Sequence, residues 1–194
     1  MSQDHKPRFN AGAAFKLLTE GNARFLLGLP SNGDHSAERR RLTAEHGQYP
    51  YAIVVTCSDS RVVPEIIFSA GIGDLFVIRT AGNTIDGSSL GSIEYAIAHL
   101  GVRLVVVMGH THCGAITAAV TSRHDGHIGY ITDEIQKGIG DEKDVHEACI
   151  ANIHRSLKIV EDDLPDRHDV RYVGAIYDIV DGSVEFFEDL HESE

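Results

Sequence analysis

The sequence predicts an α/β fold: a mostly parallel β-sheet covered by helices, with an antiparallel C-terminal edge strand and an N-terminal helical arm. From residue 51 onward, short runs rich in valine and isoleucine alternate with longer segments whose apolar residues recur at helical spacing. That alternation is typical of βα units, which build parallel sheets. Near the end of the chain, Asp181-Gly182 is a hairpin turn signal, so residues 183–187 should pair back antiparallel.

These patterns predict five strands and seven helices. The strands are expected over residues 51–56, 75–79, 102–108, 171–179 and 183–187. The third strand, apart from Arg103 near its start, has the continuous apolar character of a strand covered on both faces. The helices are expected over residues 11–27, 36–46, 64–70, 88 or 89 to 100, 113–121, 130–137 and 143–162, with a polar loop containing His124 and His127 over residues 122–129.

Local signals mark the ends of several helices. Asn10 is suited to cap the first helix, and Gly28-Leu29-Pro30 ends it. Pro64 suits the first turn of the third helix, and Gly101 closes the fourth.

The first two helices precede the first strand and have no place inside a βα repeat. We expect one domain over residues 1–194, with an N-terminal helical arm over residues 1–47 and an α/β core over residues 48–194. An arm that packs on a partner subunit and a cap on the same domain both agree with the sequence.

Composition and charge exclude several classes of function. The chain has 194 residues and a net charge of −12, which argues against a nucleic-acid surface. Arg39-Arg40-Arg41 is expected to form a solvated helix face. No apolar run approaches the roughly 20 residues that span a bilayer, and the polar N-terminus lacks the apolar core of a signal peptide. With three cysteines, too few for a closed disulfide set, we expect a cytoplasmic protein without membrane or nucleic-acid partners.

A metal site is predicted where two apolar runs end. The first predicted strand leads into Cys57, and the third leads through Gly109 into His110. His110-x-x-Cys113 is a tight turn that enters a helix, whose first turn favours a thiolate. Two thiolates and one imidazole suit Zn²⁺, and three protein ligands leave a fourth position open, as in catalytic sites. His112 is the alternative to His110 as the nitrogen ligand, and Cys149 is expected to be buried packing.

Asp59 and Arg61 lie beside the predicted ligand Cys57. Two thiolates cancel the charge of Zn²⁺, so a bare carboxylate nearby would oppose ionisation of a water molecule on the metal. Arg61 can hold Asp59 as a neutralised, bidentate pair, which leaves Asp59 free to accept a hydrogen bond. If that pair breaks, Asp59 becomes a possible fourth ligand and closes the site. Which of these two states is the resting one stays open.

These motifs resemble those of the β-class carbonic anhydrases. The resemblance begins with Cys57-Ser58-Asp59-Ser60-Arg61 and Gly109-His110-x-x-Cys113-Gly114, and it covers roughly residues 48–187. It continues through Arg79-Thr80-Ala81-Gly82-Asn83, Ser92-Ile93-Glu94-Tyr95-Ala96 and Gly174-Ala175-x-Tyr177-Asp178. The resemblance implies one zinc ion per chain, bound by Cys57, His110 and Cys113, with Asp59 and Arg61 as the catalytic dyad.

The resemblance also implies a function. It is the reversible hydration of carbon dioxide to bicarbonate and a proton, through a zinc-bound hydroxide. The substrate pocket implied by the family would be lined by Gln48, Phe76 and Tyr95 and assembled at a dimer interface. We therefore expect a homodimer or a higher homo-oligomer built from dimers.

Two other functions remain open on the same scaffold. One is hydrolysis of CS₂ or COS, which needs the same zinc hydroxide and a linear substrate. The other is a non-catalytic protein that binds zinc or bicarbonate, with Asp59 permanently on the metal.

The sequence also departs from the family pattern in two places. Thr111-His112 differs from the usual pairs between the second and third ligands, and the segment over residues 122–140 is short compared with that of many relatives.

Overall fold

The computed structural model describes residues 9–122, 124–164 and 169–187. Five strands form one sheet in the order β2-β1-β3-β4-β5, in which β1 to β4 are parallel and β5 is antiparallel to β4. The strands are β1 Ala52–Cys57, β2 Leu75–Thr80, β3 Leu104–His110, β4 Arg171–Tyr177 and β5 Val184–Phe187. The predicted α/β fold class is confirmed.

Seven helices among the described residues cover or flank this sheet. They are α1 Ala11–Leu26, α2 Ala37–His46, α3 Pro64–Ile67, α4 Gly87–His99, α5 Gly114–Thr121, α6 Gly126–Ile139 and α7 Val145–Asp163. A 3₁₀ turn, Ala81–Asn83, follows β2 directly. The predicted ends of the domain, at residues 1 and 194, lie outside the described residues. The same holds for residues 1–8 of the polar N-terminus.

The two central strands form the core of the molecule. Every residue of β1 and of β3 is buried, because helices cover both faces of the sheet and its neighbouring strands cover both edges. Their β-branched side chains suit such a pleated, enclosed environment. By contrast, β2 is an edge strand and most of its residues are only half-buried.

Helix α1 packs on the sheet of its own chain. Ala14 and Leu18 are fully buried in the same hydrophobic cluster as strand residues of β1, β3 and β4. Asn22 donates to the carbonyl oxygens of Ile67, at 3.3 Å, and Gly182, at 3.0 Å. The first helix therefore packs as a cap on the core of its own chain.

Replacing Leu18 by alanine should destabilise the protein by about 2–5 kcal/mol, because it removes a fully buried side chain and leaves a cavity. Leu17→Ala is the matched control: the neighbouring leucine is 36% exposed, and its loss should cost about 0.5 kcal/mol or less. Urea unfolding of both variants checks this expectation. Equal effects would contradict the packing of α1 on its own core.

Helix α2 lies on the surface and buries no residue. Its Arg41 pairs with Glu38 and Glu45 as expected for a solvated face. Arg39 differs, because it donates to the carbonyl oxygen of Ile72 at 2.7 Å and to Asp74 at 2.9 Å. This arginine therefore attaches α2 to the segment before β2.

The structure shifts three predicted boundaries that bear on the site. The sequence predicts that the first and third strands end at residues 56 and 108, but β1 continues to Cys57 and β3 to His110, because pairing with the neighbouring strands includes both residues. Helix α6 begins at Gly126, four residues before the predicted start, so His127 lies in its first turn. Gly126 and Gly129 are poor helix formers and obscured this start in the sequence.

No helix among the described residues is long and apolar enough to cross a membrane.

Candidate metal centre

The site lies where the order of the strands reverses. The chain runs from β1 to β2 on one side and then places β3 on the other side of β1. Ligands collect at such switch points, outside the carboxyl ends of the strands. Cys57 ends β1, His110 ends the adjacent β3, and Cys113 is the N-cap residue of α5. Strand order brings Cys57 and His110 together, and the short turn from β3 into α5 adds Cys113.

Three potential ligand atoms converge in this place. The sulfurs of Cys57 and Cys113 and a ring nitrogen of His110 all lie within 4.8 Å of one another, and the two sulfurs are 4.0 Å apart. All three residues are buried, and His110 is fully enclosed. Among the described residues, no other cluster of histidine, cysteine or carboxylate groups has this geometry.

The imidazole of His110 is oriented for a ligand. Its Nδ1 lies 2.8 Å from the carbonyl oxygen of Thr111, so the proton belongs on Nδ1 and Nε2 presents a lone pair. That Nε2 atom is buried and has no hydrogen-bond partner among the described residues. A buried nitrogen without a hydrogen-bond partner lowers the stability of the fold, so we expect a cation to bind at Nε2. A donor set of two sulfurs and one nitrogen fits Zn²⁺.

Backbone amides support the sulfur of Cys57. The N–H groups of Gly82 and Asp59 donate to it, at N···S distances of 3.3 and 3.4 Å. The pKa of the Cys57 thiol is well below its ordinary value because the Cys113 thiol donates to it; the adjacent His110 imidazole and these two amides lower it further, against the opposing effect of burial. The same contact with Cys57, together with burial, raises the pKa of Cys113. Negative charge is thus favoured on the sulfur of Cys57 over that of Cys113.

In the metal-free protein, we expect ultraviolet thiolate absorption to persist at about pH 6, where an ordinary thiol is protonated. Because the pKa of Cys57 is lowered, its thiolate becomes protonated, and the absorption is lost, only at a pH below that value. Cys57→Ser should abolish the signal. Cys149→Ala should keep it, because burial raises the pKa of the Cys149 thiol to about 11. A wild-type signal that appears only in the ordinary thiol range would contradict this description.

Asp59 and Arg61 form a bidentate pair at the edge of the donor group. Arg61 Nε and Nη2 donate to the two carboxylate oxygens, at 2.9 and 2.7 Å. This pairing holds the pKa of the Asp59 carboxyl well below its usual range. Oδ2 of Asp59 lies 4.0 Å from Nε2 of His110, so the carboxylate faces the donor group without joining it.

Of the other residues predicted for the site, His112 is next to the donor group in the chain, whereas Phe76 and Tyr95 lie together at a distance from it. His112 is exposed, with φ +55°, and the donor group contains His110 rather than His112. Phe76 pairs with Ile53, whereas Cys57 pairs with Thr80; four residues of strand separate these positions by about 13 Å. Tyr95 lies beside Phe76, with ring centroids 6.4 Å apart.

Gln48 precedes β1, at the opposite end of that strand from Cys57, and is exposed. One chain therefore does not bring Gln48, Phe76 and Tyr95 to its own cysteine and histidine cluster.

Sequence reasoning assigned no role to two residues that hold the site in place. Arg79, from the end of β2, donates to the carbonyl oxygens of Cys57 at 3.1 Å and Asp59 at 2.6 Å. Asn152, from α7, donates to the carbonyl oxygen of Gly82 at 2.9 Å. The sequence did contain an indication for Asn152, because it is a polar residue on the apolar face of a long amphipathic helix.

Comparison with known proteins agrees with this fold and site. A sequence profile described as carbonic anhydrase matches residues 52–184. Carbonic anhydrase 2 of Mycobacterium tuberculosis is 48% identical over 133 residues, which are 68% of this chain and 64% of that protein. Fold and donor group together define a metalloprotein of the β-carbonic anhydrase type. The chain belongs to the β-class carbonic anhydrase family.

Solved structures show the same similarity. The β-carbonic anhydrase CcaA is 30% identical, with a TM-score of 0.68 over 90% of this chain and 95% of that one. One of two β-carbonic anhydrases from Sordaria macrospora, described as tetrameric, is 25% identical, with a TM-score of 0.66 over 78% of this chain and 91% of that one. This chain spans 64% of the length of the Mycobacterium relative.

Proposed function

We propose that the protein catalyses the zinc-dependent, reversible hydration of carbon dioxide to bicarbonate and a proton. One zinc ion per chain would be held by Cys57, His110 and Cys113. The observation that carries the proposal is the buried Nε2 of His110, which has no hydrogen-bond partner in the part of the chain that the structure describes and lies beside two sulfurs 4.0 Å apart. A zinc ion bound there supplies a Lewis acid that makes water a nucleophile near neutral pH.

The chain's own residues would orient the reacting water. Asp59 Oδ1 accepts from the backbone N–H and the side-chain Nε of Arg61. Oδ2 accepts from Arg61 Nη2 and, at 4.0 Å from His110 Nε2, is the oxygen that faces the donor group. There Oδ2 would accept a hydrogen bond from the water and turn a lone pair of that water towards the carbon of CO₂. Arg61 keeps the carboxylate ionised and offsets its charge. This arrangement supports an open fourth position rather than the closed state in which Asp59 ligates the metal.

The substrate pocket is proposed to include residues from a second copy of the chain. Phe76 and Tyr95 lie too far from their own Cys57 to line its pocket, and Tyr95 is 48% exposed. In a homodimer or a larger assembly of dimers, Gln48, Phe76 and Tyr95 of one copy would reach the site of the other. Analytical ultracentrifugation and the dependence of specific activity on protein concentration test this assembly; an active monomer would contradict it.

The proposed location is the cytoplasm. All three cysteines are free thiols and are buried, which suits a reducing compartment. The negative net charge continues to predict that nucleic acids are not partners.

Assays of the purified, zinc-loaded protein with CO₂ and with CS₂ test the function directly. We expect rapid hydration of CO₂ and no comparable hydrolysis of CS₂, because the matching family and its relatives are described as carbonic anhydrases. Activity on CS₂ alone would assign the protein to the hydrolases that share this scaffold. Zinc binding with activity on neither substrate would favour a binding protein.

A further inference from the structure

Two hydrogen bonds, one on each side of the Gly82 Cα, connect α7 with the sulfur of Cys57. Asn152 is 2% exposed, and its Nδ2 donates to the carbonyl oxygen of Gly82. The N–H of the same glycine, which belongs to the preceding peptide group, donates to Cys57 Sγ. One turn further along α7, Ser156 donates to the carbonyl oxygen of Asn83 at 3.1 Å. The buried face of α7 thus holds the 3₁₀ turn at two consecutive carbonyl groups.

The turn adopts a backbone conformation that needs such support. Gly82 has φ +64° and Asn83 has φ +46°, and both are buried. The left-handed region is unfavourable for asparagine, although less so than for most residues. A Cβ atom at position 82 would lie 2.8 Å from Ile135 Cδ1 and 3.1 Å from Ala115 Cβ. The positive φ together with these close contacts favours glycine at position 82, where the turn lies against Ala115 of α5 and Ile135 of α6.

We propose that Asn152 is a positioning residue for the metal centre, which fixes the backbone conformation of Gly82 so that the N–H of this residue points at the Cys57 sulfur and draws charge from it. This role rests on the zinc site of the proposed function. Two thiolates on one metal reduce its Lewis acidity, and an N–H group that donates to one sulfur offsets part of that reduction. Groups that orient metal ligands from outside the coordination shell typically change metal affinity by about 10–100-fold.

Asn152→Ala and Asn152→Asp test the role. The aspartate variant keeps the size of the side chain but places an acceptor against the carbonyl oxygen of Gly82. For both variants we expect the zinc dissociation constant, measured by competition with a chelator, to rise about 10–100-fold. In the cobalt-substituted protein, the sulfur-to-cobalt charge-transfer band should move to longer wavelength, because a sulfur without its N–H donor is richer in electrons.

Leu157→Ala is the control. Leu157 is 2% exposed on the same helix, and it packs in the cluster on the sheet rather than on the 3₁₀ turn. Its replacement should lower stability but leave zinc affinity and the cobalt spectrum unchanged. A merely structural role for Asn152 would give that same result, and unchanged zinc affinity and spectrum in the Asn152 variants would overturn the proposal.

A measurement on the wild-type protein keeps the proposal testable if the Asn152 variants do not fold. In the ¹¹³Cd-substituted protein, the Gly82 amide should show scalar coupling to cadmium through the N–H···S bond, and absence of coupling would overturn the proposal. If the wild-type chain binds no zinc, the proposed function fails as well. If it binds zinc and hydrates CO₂ while the Asn152 variants match it, only the role of Asn152 fails.

Discussion

Replacing Cys57 by alanine should remove the metal and reduce CO₂ hydration to the buffer background. Cys57 supplies one of only three potential ligand atoms in the cluster, and the remaining sulfur and nitrogen cannot retain zinc against a chelator. The thiolate that receives two backbone N–H groups is also lost. Zinc content after dialysis, measured by atomic absorption, and the rate of CO₂ hydration check the expectation together.

Cys149→Ala is the matched control for this experiment. Cys149 is as buried as the ligand cysteines, but its sulfur donates to the carbonyl oxygen of His110 at 3.4 Å and lies outside the donor group. The variant should keep one zinc per chain and most of its activity. Unchanged zinc content in Cys57→Ala would exclude Cys57 as a ligand.

Replacing Asp59 or Arg61 by alanine should leave zinc bound and lower kcat by about 10²–10⁴-fold, the range for a positioned acid–base group. Neither side chain belongs to the donor group, so metal content should not change. Asp59→Ala removes the acceptor that orients the water. Arg61→Ala removes both side-chain donors to the carboxylate, which frees Asp59 to turn towards the metal. Stopped-flow hydration kinetics and zinc analysis on the same samples measure both quantities.

Arg39→Ala serves as the control for the dyad. It breaks another arginine–aspartate pair, Arg39–Asp74 at 2.9 Å, which attaches α2 to the segment before β2. Its kcat should equal that of the wild type. If Asp59→Ala or Arg61→Ala also kept full activity, the pair beside Cys57 would have no catalytic role.

The fold and the centre of the site were predictable because both depend on local patterns. Continuous apolar runs marked β1 and β3 as buried strands, and Cys57 and His110 stood at their ends. Adjacent parallel strands end at one edge of the sheet, so sequence position placed these ligands together. Arg61 lies two residues from Asp59, so their pairing also needed only local information.

Features that depend on distant contacts were not predictable from the chain. The packing of α1 on its own sheet depends on the close contact of Gly21 with the backbone of Phe68. No local sequence pattern predicts that contact. The role of Asn152 depends on Gly82, seventy residues away. The placement of Phe76 relative to Cys57 followed only from the register of β1 and β2.

The dependence of CO₂ hydration on zinc loading tests the central claim most directly. Metal-free protein is titrated with zinc, and the initial rate is measured at each addition. The rate should rise in proportion to bound zinc and reach its plateau at one zinc per chain, since the described residues hold one cluster of three donors. A protein that binds one zinc per chain and hydrates CO₂ no faster than buffer would contradict the account.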